Sequence, residues 1–261
     1  MISSCSKEKI PIKQKLIQFK IISEDTKLET IYKFKYDAKG RLIDKVTPIS
    51  HDSISYTNQN VSHWFIDHSL FPGFEEQDFY YTNKRLDSIK INYKGQFSGA
   101  DLIRYIYENN KHIRKVEFRN NAIINVYDFN FNNVGYIERI VNIDKIQNDT
   151  LIYSYKYDLS GNVIEIYLND HIISEFEYLH SDNPFYETSK SYLLNVPIDP
   201  YSSETEFITS KKMISKAKHY YTNGIIEKEV INEYIFDENG YHVSGNRIFK
   251  GKKENLIFEY K

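Results

Sequence analysis

The stretch Phe34-Lys35-Tyr36-Asp37-Ala38-Lys39-Gly40-Arg41-Leu42 decides the architecture, because it recurs. Tyr155-Lys156-Tyr157-Asp158-Leu159-Ser160-Gly161-Asn162-Val163 is a second copy, and Tyr234-Ile235-Phe236-Asp237-Glu238-Asn239-Gly240-Tyr241 a third. Two more keep the spacing with substitutions: 129–137 has Asn132 for the Asp, and 105–113 has Glu108 for the Asp and Lys111 for the Gly. Aromatic residues two apart lie on one face of a strand. An Asp opening a turn accepts hydrogen bonds from the backbone N–H groups ahead of it, and a Gly in fourth place supplies the positive φ of a bulged hairpin loop. Each copy therefore reads as strand, tight turn, strand, with Asp37, Gly40, Asp158, Gly161, Asp237 and Gly240 as structural turn residues.

Shorter hairpin signals lie between the copies. Asn223-Gly224 is the strongest two-residue signal, and Asn83-Lys84, Lys94-Gly95, Asn120-Asn121 and Asn169-Asp170 are weaker ones. Composition agrees: 36 Ile stand against 13 Leu and 4 Ala, and 15% of residues are aromatic. Such residues suit a pleated surface, although an AT-rich coding sequence produces the same bias, so periodicity carries the argument. Five of the 6 prolines fall in 47–78 and 180–212, which are expected to be two irregular insertions. Within them, 62–68 reads as a short helical turn, and Asn183-Pro184 as the start of a helix running to about Leu194. The expectation is all-β: one domain over 13–261, an antiparallel meander of short hairpins curled into a barrel-like or two-layer sheet.

Charge and hydropathy exclude several classes. The formal net charge is -2, with no dense Lys/Arg cluster, so no nucleic-acid partner is expected. No run is long and apolar enough for a transmembrane helix, and Lys and Glu scattered through the strands argue against a lipid-facing band. The only cysteine follows Ile2-Ser3-Ser4, and Ile-Ser-Ser-Cys resembles a bacterial lipobox. That resemblance implies lipidation of Cys5, residues 1–12 as lipobox remnant and tether, and a lipid-anchored place in the cell envelope, at the outer membrane or its periplasmic face. The charged and apolar leader of such a signal is not among the residues before Cys5.

The stretch from Tyr32 to Leu42, with its Tyr-Asp-x-x-Gly-Arg-Leu end at 36–42, is similar to the tyrosine–aspartate repeats of Rhs-type proteins. The whole layout over about 28–261 more closely resembles a domain of unknown function common in Bacteroidetes lipoproteins. The features shared are Cys5, the repeats, Asn183-Pro184-Phe185 and Gly240-Tyr241. This resemblance implies a fold and no catalytic residues.

Candidate sites were weighed on spacing. His63 and His68, five apart, converge on neither a helix face nor a strand face, so no metal is expected. Asp128-x-Asn130-x-Asn132 opens like a calcium loop but has Asn133 in place of the Gly and Arg139 in place of the bidentate Glu. Glu75 and Glu76 are adjacent carboxylates that diverge rather than face a substrate. No catalytic motif and no cofactor motif stands out. The candidate ligand-binding residues are the aromatics of the two insertions, Trp64, Phe71, Phe74, Phe185, Tyr186 and Tyr192, bordering one cleft. The leading function is a non-enzymatic envelope protein binding a glycan, a peptide or a protein partner. The alternatives are a glycan-directed envelope hydrolase with its site at the insertions, and an interaction or immunity partner of a toxin system.

Overall fold

The computed structural model describes residues 14–68, 73–95, 99–109, 112–184, 211–221, 223–249 and 251–261. Eighteen strands follow one another: β1 (Leu16–Ser23), β2 (Glu29–Tyr36), β3 (Leu42–Val46), β4 (Ser50–Thr57), β5 (Asn60–His68), β6 (Gly73–Thr82), β7 (Arg85–Gly95), β8 (Leu102–Asn109) and β9 (His112–Arg119) form the first half. The second half is β10 (Ala122–Phe131), β11 (Ile137–Asp144), β12 (Asp149–Tyr157), β13 (Val163–Leu168), β14 (His171–Asp182), β15 (Lys212–Tyr220), β16 (Ile226–Phe236), β17 (His242–Phe249) and β18 (Lys252–Tyr260). Every strand pairs antiparallel with its neighbours in sequence, and β18 pairs with β1, so the meander closes into a barrel. Closure answers the edge problem that an open sheet of this length would face. Backbone bonds between Lys15 and Lys261, 2.9 and 3.0 Å in the two directions, seal the seam.

The repeat turns form as their chemistry predicts. The Asp37 carboxylate accepts from the N–H groups of Lys39 and Arg41, both at 2.9 Å, and Gly40 has φ 75°. Asp158 and Asp237 are bonded in the same way, with Gly161 at φ 83° and Gly240 at φ 81°. Asn132 does the same through its amide oxygen. Asn83-Lys84, Asn120-Asn121 and Asn169-Asp170 have positive φ at both residues, the signature of a type I′ hairpin.

Several expectations are corrected. Residues 47–78 are not an irregular insertion, and 62–68 is not helical: β4, β5 and the start of β6 run through them. Pro48 sits in the β3–β4 turn, closed by a 2.8 Å bond from Thr47 N–H to the Ser50 carbonyl, so it costs the sheet no ladder bond. Asn223-Gly224 is not a two-residue turn. Gly224 takes φ 79° in a wider loop in which Tyr221 N–H reaches the Ile225 carbonyl, the same hydrogen-bond plan as the Asp turns. Lys94-Gly95 ends β7, where Gly95 pairs with Gly73. Of the expected insertion 180–212, β14 runs to Asp182 and β15 begins at its pair Lys212, and residues 185–210 lie outside the described residues. Beyond Pro184 the expected helix lies outside the described residues.

Alternation divides the wall into two faces. Phe19, Ile21, Phe34, Leu42, Ile54 and Phe258 point inward and are buried. Met213 of β15 joins this cluster from β1–β5 and β18, none of which pairs with β15, so packing reaches across the interior. A second cluster is built from Phe129, Ile140, Tyr155, Ile166, Phe176 and Val230. Outward positions carry charge ladders: Lys35–Asp44–His51 (3.4 and 3.0 Å), Lys20–Glu259 (3.7 Å), Arg114–Asp128 (2.6 Å), Lys156–Glu165 (2.6 Å) and Lys216–Glu229 (3.1 Å). Each Lys or Arg on a lipid-facing barrel wall would cost about 2–4 kcal/mol at mid-membrane. The wall described here therefore suits water. Among the described residues, no helix is long and apolar enough to cross a membrane.

Candidate functional site

A tyrosine clasp recurs at one end of the barrel, where even-numbered strands finish and odd-numbered strands begin. Tyr36 donates its hydroxyl to the Leu16 carbonyl (2.8 Å), Tyr56 to Leu42 (2.7 Å), Tyr107 to Leu86 (2.9 Å), Tyr157 to Ile137 (2.6 Å), Tyr178 to Val163 (2.6 Å) and Tyr234 to Ile214 (3.3 Å). In each case a tyrosine late in one strand ties down the start of the strand before it. The residue just before the acceptor often caps the tyrosine ring. Lys15 lies 5.0 Å from the Tyr36 centroid, Arg41 4.3 Å from Tyr56, and Arg85 5.3 Å from Tyr107; Tyr136 stacks on Tyr157 at 5.0 Å. The Gly-Arg-Leu end of the first repeat is thus a turn residue, a ring cap and a hydroxyl acceptor in succession.

The hairpin next to the seam departs from this plan. Tyr260 of β18 occupies the clasp position and Tyr241 the cap position, with centroids 5.3 Å apart and rings inclined by 52°. The Tyr260 hydroxyl lies beside the His242 backbone without reaching hydrogen-bond geometry, and burial pushes its pKa well up. The Tyr241 hydroxyl instead accepts from the Gln14 N–H at 3.1 Å. A cavity of about 530 Å³ opens here. Tyr36, Tyr241, Tyr260 and His242 supply its rings; Lys15, Ser181, Asp182, Asn183, Lys211 and Asn239 supply polar groups. Its size is within the usual range for small-molecule sites.

The cavity wall is polar but chemically quiet. His242 is 3% exposed and packs against Tyr234, Phe236 and Phe258 at 5.4, 4.6 and 5.8 Å. Burial lowers its pKa to about 4, against a smaller upward pull from Asp182, so at neutral pH the ring is uncharged. Its Nε2 lies 3.3 Å from the Ser181 hydroxyl. Lys212 holds Asp182 at 2.7 Å. Elsewhere, Ser174 Oγ and His219 Nδ1 are 2.9 Å apart, but Ser174 is 0% exposed, so the two form a cross-strand pair with no room for a substrate.

The aromatics expected to share one cleft do not all meet. Trp64 faces inward, half-buried against the first core cluster, opposite Ile54 and Gln77. Phe74 pairs with Asp67 on the outer face, 5.2 Å from Phe65 and 5.2 Å from the Lys94 ammonium. Phe71, Phe185, Tyr186 and Tyr192 lie outside the described residues, as does Cys5. His63 is bound to Asp78 across the strands at 2.8 Å, and Asp128 is held by Arg114, so each has a partner other than a metal. Among the described residues, no group of His, Cys, Asp and Glu is placed to hold a metal ion. The seam cavity escaped sequence reasoning because its walls come from stretches far apart in the chain, 14–16, 181–184, 211 and 239–242 among them; the one available signal was Tyr241 standing where Arg41 stands in the first repeat.

The fold and cavity define a closed up-and-down barrel with charge pairs on its outer wall and a side pocket at its seam. No protein-family model and no curated protein matches the chain. Among solved structures it is similar to a porin-like protein from Bacteroides vulgatus ATCC 8482, with TM-score 0.42, 10% identity, and 95% of this chain and 99% of that one covered. A porin-like protein from Bacteroides uniformis ATCC 8492 follows, with TM-score 0.34, 11% identity, and 96% and 98% covered. TcdB2-TccC3 matches with TM-score 0.34 and 9% identity over 90% of this chain and 15% of that one. At these TM-scores none of the three lends a property to this chain.

Proposed function

We propose that the protein is a non-enzymatic, lipid-anchored binding protein of the bacterial cell envelope that takes a small glycan in its seam cavity. The observation that carries this reading is the released clasp. The Tyr260 hydroxyl, which six other hairpins commit to a carbonyl, is buried with no hydrogen bond among the described residues, and Tyr260 lines a cavity beside the second ring of Tyr241. Inclined aromatic faces ringed by amide, hydroxyl and ammonium groups suit a sugar, whose C–H face stacks while its hydroxyls bond at the rim. The charged outer wall keeps the barrel in water, which leaves attachment to the Cys5 lipid.

Saturation-transfer NMR with a panel of soluble disaccharides tests the binding. At least one sugar is expected to receive saturation, and Tyr241→Ala is expected to abolish it while the fold persists. A panel that is silent throughout, or a signal unchanged in Tyr241→Ala, would overturn the assignment. For the anchor, the protein expressed behind a lipoprotein leader should incorporate palmitate, and Cys5→Ala should not.

A further inference from the structure

On the inner wall one carboxylate breaks the rule that buried charge is paired. Asp52 lies in β4 between the inward-facing Ser50 and Ile54 and is 3% exposed. Its Oδ1 is buried and accepts no hydrogen bond. Lys45 stands across from it on β3, on the same face, and Asp52 joins no ion pair among the described residues. A buried carboxylate oxygen without a donor carries a desolvation cost that a bound donor can relieve.

The strand register shows what surrounds it. Asp52 pairs with Ile66 of β5, Ile66 with Glu75 of β6, and Glu75 with Tyr93 of β7. These side chains share the inner face, so two carboxylates flank Ile66 with their backbones about 10 Å apart, twice the strand spacing. One pair further along, Trp64 stands between Ile54 and Gln77. Trp64, Ile66, Glu75 and Gln77 are only half-buried. Burial, then the charges of Glu75 and Glu117, push the Tyr93 hydroxyl up to about 12, so it remains a hydrogen-bond donor beside Glu75.

We propose that this row is an ammonium site: Asp52 and Glu75 receive the charged amine of a small polyhydroxylated molecule, an amino sugar with a free amine, and Trp64 covers its apolar face. Glu75 Oε1 already accepts from the Gln77 amide; its other oxygen and Asp52 favour a donor with positive charge, and an indole beside them favours a cation or a sugar ring. The site is separate from the seam cavity, and either can fail without the other.

Trp64 is the only tryptophan, so its fluorescence reports on the site directly. Glucosamine at pH 6.5 is expected to shift or quench the emission saturably, whereas N-acetylglucosamine, with the same ring and no charge, leaves it unchanged. Asp52→Asn is expected to weaken the glucosamine response at least tenfold, with circular dichroism unchanged. Tyr241→Ala, which empties the seam cavity of one wall, should retain the full response and so separates this site from that one. The proposal is overturned if N-acetylglucosamine titrates as well as glucosamine, if Asp52→Asn responds like the parent, or if glucosamine produces no saturable change in the folded parent.

Discussion

Gly135 and Gly161 occupy the same place in two copies of the repeat turn, with φ 88° and 83°, yet their surroundings differ. A Cβ at Gly135 would meet nothing within 4 Å, whereas at Gly161 it would lie 2.2 Å from the Tyr136 hydroxyl and 2.5 Å from its Cζ. Alanine at either position pays the left-handed backbone cost, about 1–2 kcal/mol. At Gly161 the Tyr136 ring must also move, and it is stacked on Tyr157 at 5.0 Å; losing such a pair costs about 0.5–1.5 kcal/mol more. Gly135→Ala is therefore expected to destabilise by about 1–2 kcal/mol and Gly161→Ala by about 2–3 kcal/mol. Urea unfolding, with m-values compared to confirm a common denatured state, measures both. A cycle with Tyr136→Leu isolates the difference: in that background the extra cost at Gly161 should largely vanish. Equal losses at the two glycines, or a Gly161 excess that survives Tyr136→Leu, would refute the steric argument and leave backbone strain alone.

Three further outcomes follow from the same geometry. Tyr157→Phe removes a 2.6 Å bond to the Ile137 carbonyl and should cost about 1–2 kcal/mol in urea unfolding, a loss the natural Phe131 shows to be tolerable. Because burial depresses the His242 pKa from 6.5 to about 4, the unfolded chain binds the extra proton first, and stability should fall as pH drops through that window. Thermal melts of His242→Gln should show a flatter profile between those values. Arg247→Ala should destabilise by about 3–5 kcal/mol, because Glu254, now paired with it at 2.5 Å and largely buried, would lose its counter-charge; Arg247→Ala/Glu254→Ala melting well above the single variant checks this.

Much of the wall was legible in the residues. Asp37, Asp158 and Asp237 announce their turns because the required contacts are local: a carboxylate, two N–H groups and a glycine within four residues. The stretch 47–78 hides its strands for a physical reason. β4 buries Ser50 and Asp52 beside Ile54 and Tyr56, so its inward face is half polar and the two-residue rhythm of hydrophobicity is blurred. β5 places Trp64, Phe65 and Ile66 in a row, apolar on both faces, and a short apolar run does not reveal its own secondary structure. Closure and the seam cavity depend on Leu16 meeting Tyr260, a contact spanning nearly the whole chain, and no local pattern encodes it.

The two candidate sites share a logic that the repeat makes visible. A wall of hairpins, six of them clasped by a tyrosine, spreads stability over many small units, and the outer face carries charge ladders that serve solubility. Specific binding must then use positions where a unit departs from the pattern. Tyr260 departs by leaving a clasp unmade next to the seam, where the ring of hairpins is closed by the two chain ends rather than by a turn. Asp52 departs by placing on the inner wall a carboxylate whose Oδ1 has no donor among the described residues, in a row that also holds Phe34, Lys45, Ile66 and Glu75. Each departure leaves a polar group buried and unsatisfied, a cost that a ligand can relieve and that an apolar replacement would have avoided. Replacing Tyr260 by Phe and Asp52 by Leu should therefore leave the barrel at least as stable as the parent while removing both binding activities.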